Sequence, residues 1–166
     1  MIKLIHTSDW HLGLRFCGYD PNQEYELFFT QLTKAVAREK PDALLIVGDV
    51  FDIPIPANDL LERFEHCLTQ LHEACKTMQI IITSGNHDDC QWLEKQAKRW
   101  SEWNVSIIGQ PHKRDSSYDI GRHIIPIQDG KGNIKGYVIG MPYMTTTTCP
   151  VLSEQIPIER RLPAFM

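Results

Sequence analysis

Three short apolar runs, separated by longer amphipathic segments, organise the first hundred positions of the chain. They lie at positions 2–5, 43–47 and 80–82 and consist mainly of isoleucine, leucine and valine. Short, nearly continuous apolar runs are typical of strands that are buried on both faces of a parallel sheet. We therefore predict three parallel strands, each covered on both faces.

The segments around and between these runs have the periodicity of amphipathic helices. We predict helices over roughly 22–39, 58–77 and 91–103. Their apolar stripes are, in chain order, Tyr25, Phe28, Phe29, Leu32 and Val36; Leu60, Leu61, Phe64, Leu68, Leu71 and Cys75; and Trp92, Leu93, Trp100 and Trp103. Alternation of strands and helices predicts a layered α/β fold.

The second half of the chain has a different pattern. Residues 105–108, 122–128 and 134–141 are predicted strands, and the glycine-rich turn at 130–133 predicts that the last two form a hairpin. The tail at 145–166 contains a threonine run and several prolines. We expect that tail to be irregular.

Composition indicates one globular domain over residues 1–166. Hydrophobic residues make up 42% and charged residues 23% of the chain, which is ordinary for a globular protein. No apolar stretch approaches the ~20 residues of a membrane helix, and no signal segment is evident. Five cysteines without CxxC spacing favour reduced thiols and a cytoplasmic location.

Polar side chains with metal-binding chemistry follow each of the three predicted strands. Asp9 and His11 follow the first strand, Asp49 follows the second directly after Gly48, and Asn86 follows the third. Ligands of open α/β sheets bind beyond the carboxyl ends of the strands. In an extended loop, two residues that are two positions apart point the same way. Carboxylate, imidazole and amide donors together suit Mn²⁺ best, with Mg²⁺, Fe²⁺ and Zn²⁺ as alternatives.

A site that holds two divalent cations in this way would hydrolyse phosphate esters. A metal pair about 3.5–4 Å apart polarises the phosphoryl oxygens and stabilises the leaving oxygen. His87 is the candidate that protonates a departing 3′ oxygen or holds the phosphate, and Asp88 is expected to orient His87 by a hydrogen bond. Asp52 either supports a metal ligand or bound water or caps a turn.

The formal net charge of −4 does not favour binding of a long polyanion such as a nucleic acid, whose binding surfaces are usually basic. Much of the acidity is local to the predicted site, where bound cations would offset it. The candidates for contacts with substrate phosphates are Arg15, Lys113, Arg114 and Arg122, and solvated surface is the alternative role for each.

The polar blocks resemble those of a known family. The blocks Asp9-x-His11, GDVFD at 48–52 and GNHD at 85–88 resemble the calcineurin-like metallophosphoesterases. The phrase HTSDWHLG at 6–13 and the IGMPY sequence at 139–143 narrow the resemblance to SbcD-type exonuclease subunits. These are the nuclease subunits of bacterial complexes that repair double-strand breaks.

This resemblance implies a mixed β-sheet flanked by helices, with Asp9 and His11 binding one metal, Asp49 bridging and Asn86 binding the second. It implies a catalytic His87. Family members are manganese-dependent exonucleases (3′–5′) and endonucleases on DNA. They form homodimers and act with SbcC, a coiled-coil ATPase. The helices that carry the following residues would then pack against a second copy, or else serve as ordinary core: Leu60, Leu61, Phe64, Leu68, Trp92 and Trp100.

The sequence departs from the family pattern in its later part. The family pattern continues with a further metal-binding histidine and a Gly-His-x-His block, and neither occurs here. We therefore expect a domain truncated before its second half, with weak metal binding and little nuclease activity alone. The alternatives are a phosphodiesterase for small substrates and a non-catalytic chain that dimerises.

Overall fold

The structure is a computed structural model that describes residues 1–114 and 117–145. Strands and helices alternate along the chain as far as β4, and short strands and a hairpin follow. The elements are β1 (Leu4–Thr7), α1 (Asn22–Glu39), β2 (Ala43–Val47), α2 (Asn58–Ala74), β3 (Gln79–Thr83), α3 (Cys90–Lys95), α4 (Ala97–Trp100), a 3₁₀ turn (Ser101–Trp103), β4 (Val105–Ile108), β5 (Lys113–Arg114), β6 (Ser117–Tyr118), a second 3₁₀ turn (Ile120–His123), β7 (Ile124–Gln128) and β8 (Ile134–Ile139).

The first four strands form one parallel sheet in the order β1-β2-β3-β4. Leu44 of β2 lies between Ile5 of β1 and Ile80 of β3, and Ile80 in turn pairs with Val105 of β4. β7 and β8 pair antiparallel, as their sequence predicts. The predicted α/β class is therefore confirmed, with parallel and antiparallel strands in separate sheets.

The sheet lies between the helices and the β7–β8 hairpin. Alternate residues of β2 and β3 point to opposite faces. On one face Ile46 and Ile82 join the aromatic core of the helices, which includes Phe64. On the other face Ile81 packs with Ile125 of the hairpin. All four strands therefore end at one edge of a three-layered body.

The expectation that all three first strands are buried on both faces is wrong for β1. Ile46 and Ile82 are fully buried, whereas 45% of Leu4 is exposed. β1 is an edge strand, and the hairpin packs mainly against β2, β3 and β4. The outer face of β1 is consequently open.

Two predicted helices differ in their extent from the structure. The second ends at Ala74 instead of residue 77, because Cys75 has left helical geometry at φ −152°. The predicted helix over 91–103 is divided into α3, α4 and a 3₁₀ turn. At its first break, the Gln96 N–H bonds to the Leu93 carbonyl three residues back. The aromatic face survives the breaks, since Trp100 is fully buried.

The later strands are shorter than predicted. β7 begins at Ile124 because residues 120–123 form a 3₁₀ turn, and β8 ends at Ile139. The predicted irregular tail lies, apart from Thr145, outside the described residues. Within the described ranges, no helix is long and apolar enough to cross a membrane.

The residues considered for a dimer interface separate into two groups. Phe64, Leu68 and Trp100 are fully buried within the single chain, so they belong to its own core. Leu60, Leu61 and Trp92 are only partly buried. A homodimer stays a prediction, and only this second group could contact a second copy.

A charged contact joins the hairpin to the sheet and generates a prediction about stability. The Lys135 ammonium on β8 donates to the Asp42 carboxylate before β2, which also accepts the Lys3 N–H at 2.8 Å. Both contacts, with Lys135 first, lower the pKa of Asp42. A depressed carboxylate pKa stabilises the fold above the unfolded pKa of about 3.9.

We expect Asp42→Asn to lower the free energy of unfolding by about 1 kcal/mol at pH 7, a value limited by solvent exposure. That difference should disappear as the pH falls through the folded pKa of Asp42, where the native carboxylate is protonated. Urea unfolding of both proteins from pH 7 to pH 2 measures it. A difference that persists unchanged at the lowest pH would refute the assignment.

Candidate metal centre

The loops after β1 and β2 run side by side at the carboxyl edge of the sheet. The Asp9 N–H donates to the Gly48 carbonyl at 3.1 Å, and the His11 N–H donates to the Asp49 carbonyl at 2.9 Å. The Leu12 N–H extends this series of backbone hydrogen bonds by donating to the Val50 carbonyl at 3.0 Å. The predicted metal ligands of two strands are thus fixed against one another by their backbones.

Three predicted ligands have left-handed backbone conformations. Asp9, His11 and Asp49 have φ values of 55°, 45° and 51°, a region that side chains other than glycine rarely adopt. The expectation that Asp9 and His11 share an extended loop is therefore wrong. Strained backbone of this kind persists where surrounding bonds over-determine it, and it clusters at functional sites.

The side chains of these residues converge. His11 Nε2 lies 3.8 Å from Asp9 Oδ1 and 3.8 Å from Asp49 Oδ2. One ligand atom from each lies within 4.8 Å of the others. Asp49 is buried, with 7% of its surface exposed, and two carboxylates this close favour a bound cation between them. The donor set fits a divalent metal.

Asp52 lies behind the His11 ring. His11 Nδ1 is 3.0 Å from Asp52 Oδ1. In the tautomer that donates this hydrogen bond, Nε2 keeps its lone pair and faces the two carboxylates. A carboxylate that orients a histidine in this way is a common support of metal ligands.

The loop after β3 packs closely on the loop after β2 where Gly85 meets Gly48 and Asp49. A Cβ on Gly85 would collide with the backbone N and Oδ1 of Asp49, and a Cβ on Gly48 would lie 3.0 Å from Gly85 Cα. Gly48 also has φ 80°, which glycine adopts readily. This close approach lets the His87 N–H donate to Asp49 Oδ1 at 2.9 Å.

Asp88 does not have the predicted role of orienting His87. Its carboxylate accepts the N–H groups of Gly85 at 2.9 Å, Phe51 at 3.1 Å and Val50 at 3.3 Å. Burial raises the pKa of Asp88, and these three hydrogen bonds oppose the rise. Asp88 therefore ties the loop after β3 to the loop after β2.

His87 and Asn86 are exposed at the same edge. His87 Nδ1 lies 3.2 Å from the Asp52 carbonyl, and its ring centroid is 4.8 Å from that of His11. The structure thus brings His11, Asp52 and His87 together. Asn86 lines a neighbouring cavity of about 120 Å³ together with Tyr143, and its role as a metal ligand stays a prediction.

The cationic candidates lie on the surface. Arg15 and Arg122 are exposed, and their contacts with phosphate stay predictions. The side chains of Lys113 and Arg114 are outside what the structure describes. The sequence interpretation missed Tyr25, whose hydroxyl donates to the His11 carbonyl at 2.6 Å. Its place in the apolar stripe of α1 gave no signal of this contact.

The close approach of the two loops predicts that Gly85 is intolerant of a side chain. We expect Gly85→Ala to lower the free energy of unfolding by roughly 2–3 kcal/mol, because backbone must move. Thermal unfolding measures the effect. Gly130→Ala is the matched control, since its Cβ would make only an ordinary 3.4 Å contact with Thr77 and should cost under about 0.5 kcal/mol. Equal losses in both variants would contradict the packing argument.

Comparison with known proteins places this site in a family. The family model described as calcineurin-like phosphoesterase matches residues 2–145. The SbcD subunit of the SbcCD nuclease from Rhodobacter capsulatus is 32% identical over 151 residues, which are 91% of this chain and 37% of that protein. The protein of the same name from Staphylococcus epidermidis is 33% identical over 107 residues, which are 64% of this chain and 28% of that protein.

The chain thus spans little more than a third of the first of these relatives. A crystal structure of Pseudomonas putida nuclease MPE aligns at a TM-score of 0.44 with 17% identity, over 68% of this chain and 50% of that one. The sequence matches confirm the resemblance to the SbcD type. This chain belongs to the calcineurin-like phosphoesterase family.

Proposed function

We propose that this chain carries metal-binding and catalytic residues of a DNA nuclease that hydrolyses phosphodiester bonds with two divalent cations, Mn²⁺ being preferred. One observation carries the proposal. His11 Nε2, Asp9 Oδ1 and Asp49 Oδ2 converge, and the His87 N–H is bonded to the other Asp49 oxygen.

The ligand assignment is carried over from the family resemblance, and the convergence of Asp9, His11 and Asp49 supports it. Asp9 and His11 would hold one cation, Asp49 would contribute to both cations, and Asn86 would hold the second. Cations bound there supply Lewis-acid polarisation of the phosphoryl group and stabilise the leaving oxygen. Four protein ligands for two cations leave much of each coordination sphere open, so we propose weak metal binding and slow cleavage by this chain alone.

Asp52 serves two rings in this proposal. Its carboxylate orients His11, and its carbonyl accepts from His87 Nδ1. With Nδ1 occupied, the free Nε2 of His87 is the atom available to the phosphate or to the departing 3′ oxygen. The side chain of His87 is 41% exposed, so a polymeric substrate can reach it.

The choice of DNA rests on the similarity to proteins that are named as the SbcD subunit of the SbcCD nuclease. Exonuclease and endonuclease action, a role in double-strand-break repair, an SbcC-type ATPase partner, homodimerisation and a cytoplasmic location belong to the same proposal. Arg15 and Arg122 are its candidates for phosphate contacts.

A phosphodiesterase for small substrates is the second candidate function. The net charge of −4 disfavours a long polyanion, whereas a small diester needs only the metal site. The two candidates share the catalytic residues and differ in the substrate that is cleaved.

Metal binding gives the first test of this proposal. We expect calorimetric titration with Mn²⁺ to show weak binding that Asp49→Asn abolishes, because Asp49 contributes to both cation positions. Glu62→Gln removes one exposed charge from α2 and is the control that should bind as the unaltered chain does. Tight binding of two Mn²⁺ per chain would contradict the proposal that the ligands present bind metal only weakly.

Cleavage gives the second test. We expect slow, Mn²⁺-dependent release of nucleotides from linear double-stranded DNA, lost in Asp49→Asn and reduced about 10–100-fold in Asp52→Asn, as supports of metal ligands usually are. A small phosphodiester is assayed in parallel. Cleavage of the diester without cleavage of DNA would favour the second candidate, and no difference between the variants would exclude the site.

A further inference from the structure

Two aromatic side chains without a role in the metal centre are exposed in the loop that carries Asp9 and His11. Phe16 is 71% exposed and Tyr19 is 56% exposed. Both lie in the loop between β1 and α1, a few residues after His11. Large exposed apolar side chains that gather at one place commonly mark a binding surface.

A tight turn fixes these two residues opposite each other. The Phe16 N–H donates to the Tyr19 carbonyl at 3.1 Å, and the Tyr19 N–H donates to the Phe16 carbonyl at 2.8 Å. Between them Cys17 and Gly18 both have positive φ, at 50° and 82°, as a type I′ turn requires. Directly opposed residues of an antiparallel pair carry their side chains on one face. We call Phe16 and Tyr19 the aromatic pair.

Contacts at both ends hold the aromatic pair in place. The Tyr19 hydroxyl donates to the Glu24 carboxylate on α1. On the other side, the Leu14 N–H donates to the His11 carbonyl at 3.0 Å. Gly13, which lies between His11 and Leu14 in the sequence, packs tightly on α2, since a Cβ there would lie 2.7 Å from Leu60 Cδ1. The exposed rings are thus carried by a fixed turn.

The aromatic pair lies within reach of a strand bound at the metal centre. Phe16 follows His11 by five residues, so their Cα atoms are at most about 17 Å apart. Stacked nucleotides rise about 3.4 Å each along a strand. Roughly five stacked nucleotides of a strand held at the metal centre therefore span enough distance to reach the aromatic pair.

The charges around the aromatic pair favour a base over a phosphate. Arg15 precedes Phe16 and is exposed, whereas Asp20 and Glu24 flank Tyr19. The two carboxylates repel a phosphate placed on the rings, but they do not oppose the neutral face of a base. Aromatic rings next to an arginine are typical of sites for single-stranded nucleic acid, where bases stack on the rings.

We propose that Phe16 and Tyr19 form a stacking platform for an unpaired base of the strand whose phosphodiester is cut. This inference deepens the proposed function, on which it rests, by specifying single-stranded or frayed DNA at the site. Arg15 contacts the adjoining phosphate. Both aromatic residues are positioning residues, since they hold the strand and touch no reacting atom.

The test measures stacking without cleavage. A single-stranded oligonucleotide that carries 2-aminopurine, whose fluorescence falls on stacking, is titrated with the whole chain in Ca²⁺ buffer. We expect quenching on binding. Phe16→Leu, which keeps an apolar side chain without a ring, should weaken binding about tenfold, within the range for losing one stacked base. Glu62→Gln, an exposed position on α2 outside the aromatic pair, is the control and should retain the quenching.

The salt dependence of binding distinguishes the phosphate contact of Arg15 from the stacking contact of Phe16. Arg15→Gln should reduce the slope of affinity against salt concentration, whereas Phe16→Leu should leave that slope unchanged. Circular dichroism checks that each variant is folded. No quenching by the unaltered chain, or equal affinity and quenching in folded Phe16→Leu, would overturn the platform.

Failure of base stacking and failure of the nuclease proposal are distinguishable. Quenching that depends on Phe16, in a chain without metal-dependent cleavage, would support the platform and reject the nuclease. Cleavage that depends on Asp49, with binding unaffected by Phe16→Leu, would do the reverse.

Discussion

The contact between two glycine-containing loops is the constraint on which the site depends. Gly48 and Gly85 approach so closely that neither tolerates a Cβ without movement of the backbone. Only at this distance can the His87 N–H reach Asp49 Oδ1 and the Asp88 carboxylate reach the loop after β2. The parallel register of β2 and β3 sets the loops side by side, and the two glycines let them touch.

The strain of the site is distributed over two loops and restrained by their hydrogen bonds. Each left-handed residue costs roughly 1–2 kcal/mol relative to ordinary backbone, and Asp9, His11 and Asp49 are all of this kind. The backbone bonds from Asp9 and His11 to the neighbouring loop, together with the Asp88 contacts, keep them there. The three side chains predicted to bind metal are consequently held close together by the fold itself, an arrangement that would lower the reorganisation required for cation binding.

The periodicity of apolar residues predicted the helix α1 and the buried strands β2 and β3. α1 has the predicted limits, and the fully buried β2 and β3 core residues follow from their apolar runs. Placement of polar residues at strand ends predicted that Asp9, His11 and Asp49 meet, because parallel strands end at one edge. Their left-handed backbone could not be predicted in this way, since no side-chain pattern specifies φ at a non-glycine residue.

Other features depended on tertiary contacts that a local pattern does not contain. The outer face of β1 is exposed because β1 lies at the edge of the sheet and the hairpin packs mainly on the other strands. Its position next to His87 suggested that Asp88 orients that histidine. In the structure Asp88 instead accepts hydrogen bonds from the backbone of the loop after β2. The Cys17-Gly18 turn had a weak sequence signal, since only its second residue is a glycine.

The three hydrogen bonds to Asp88 also have a dynamic consequence. A single carboxylate accepts hydrogen bonds from the amides of Gly85, Val50 and Phe51, so withdrawal of the Asp88 side chain releases all three together. Their protons should exchange with solvent as one cooperative unit. The two loops then open together, and any cation that binds only the closed arrangement lowers the population of the open one by mass action.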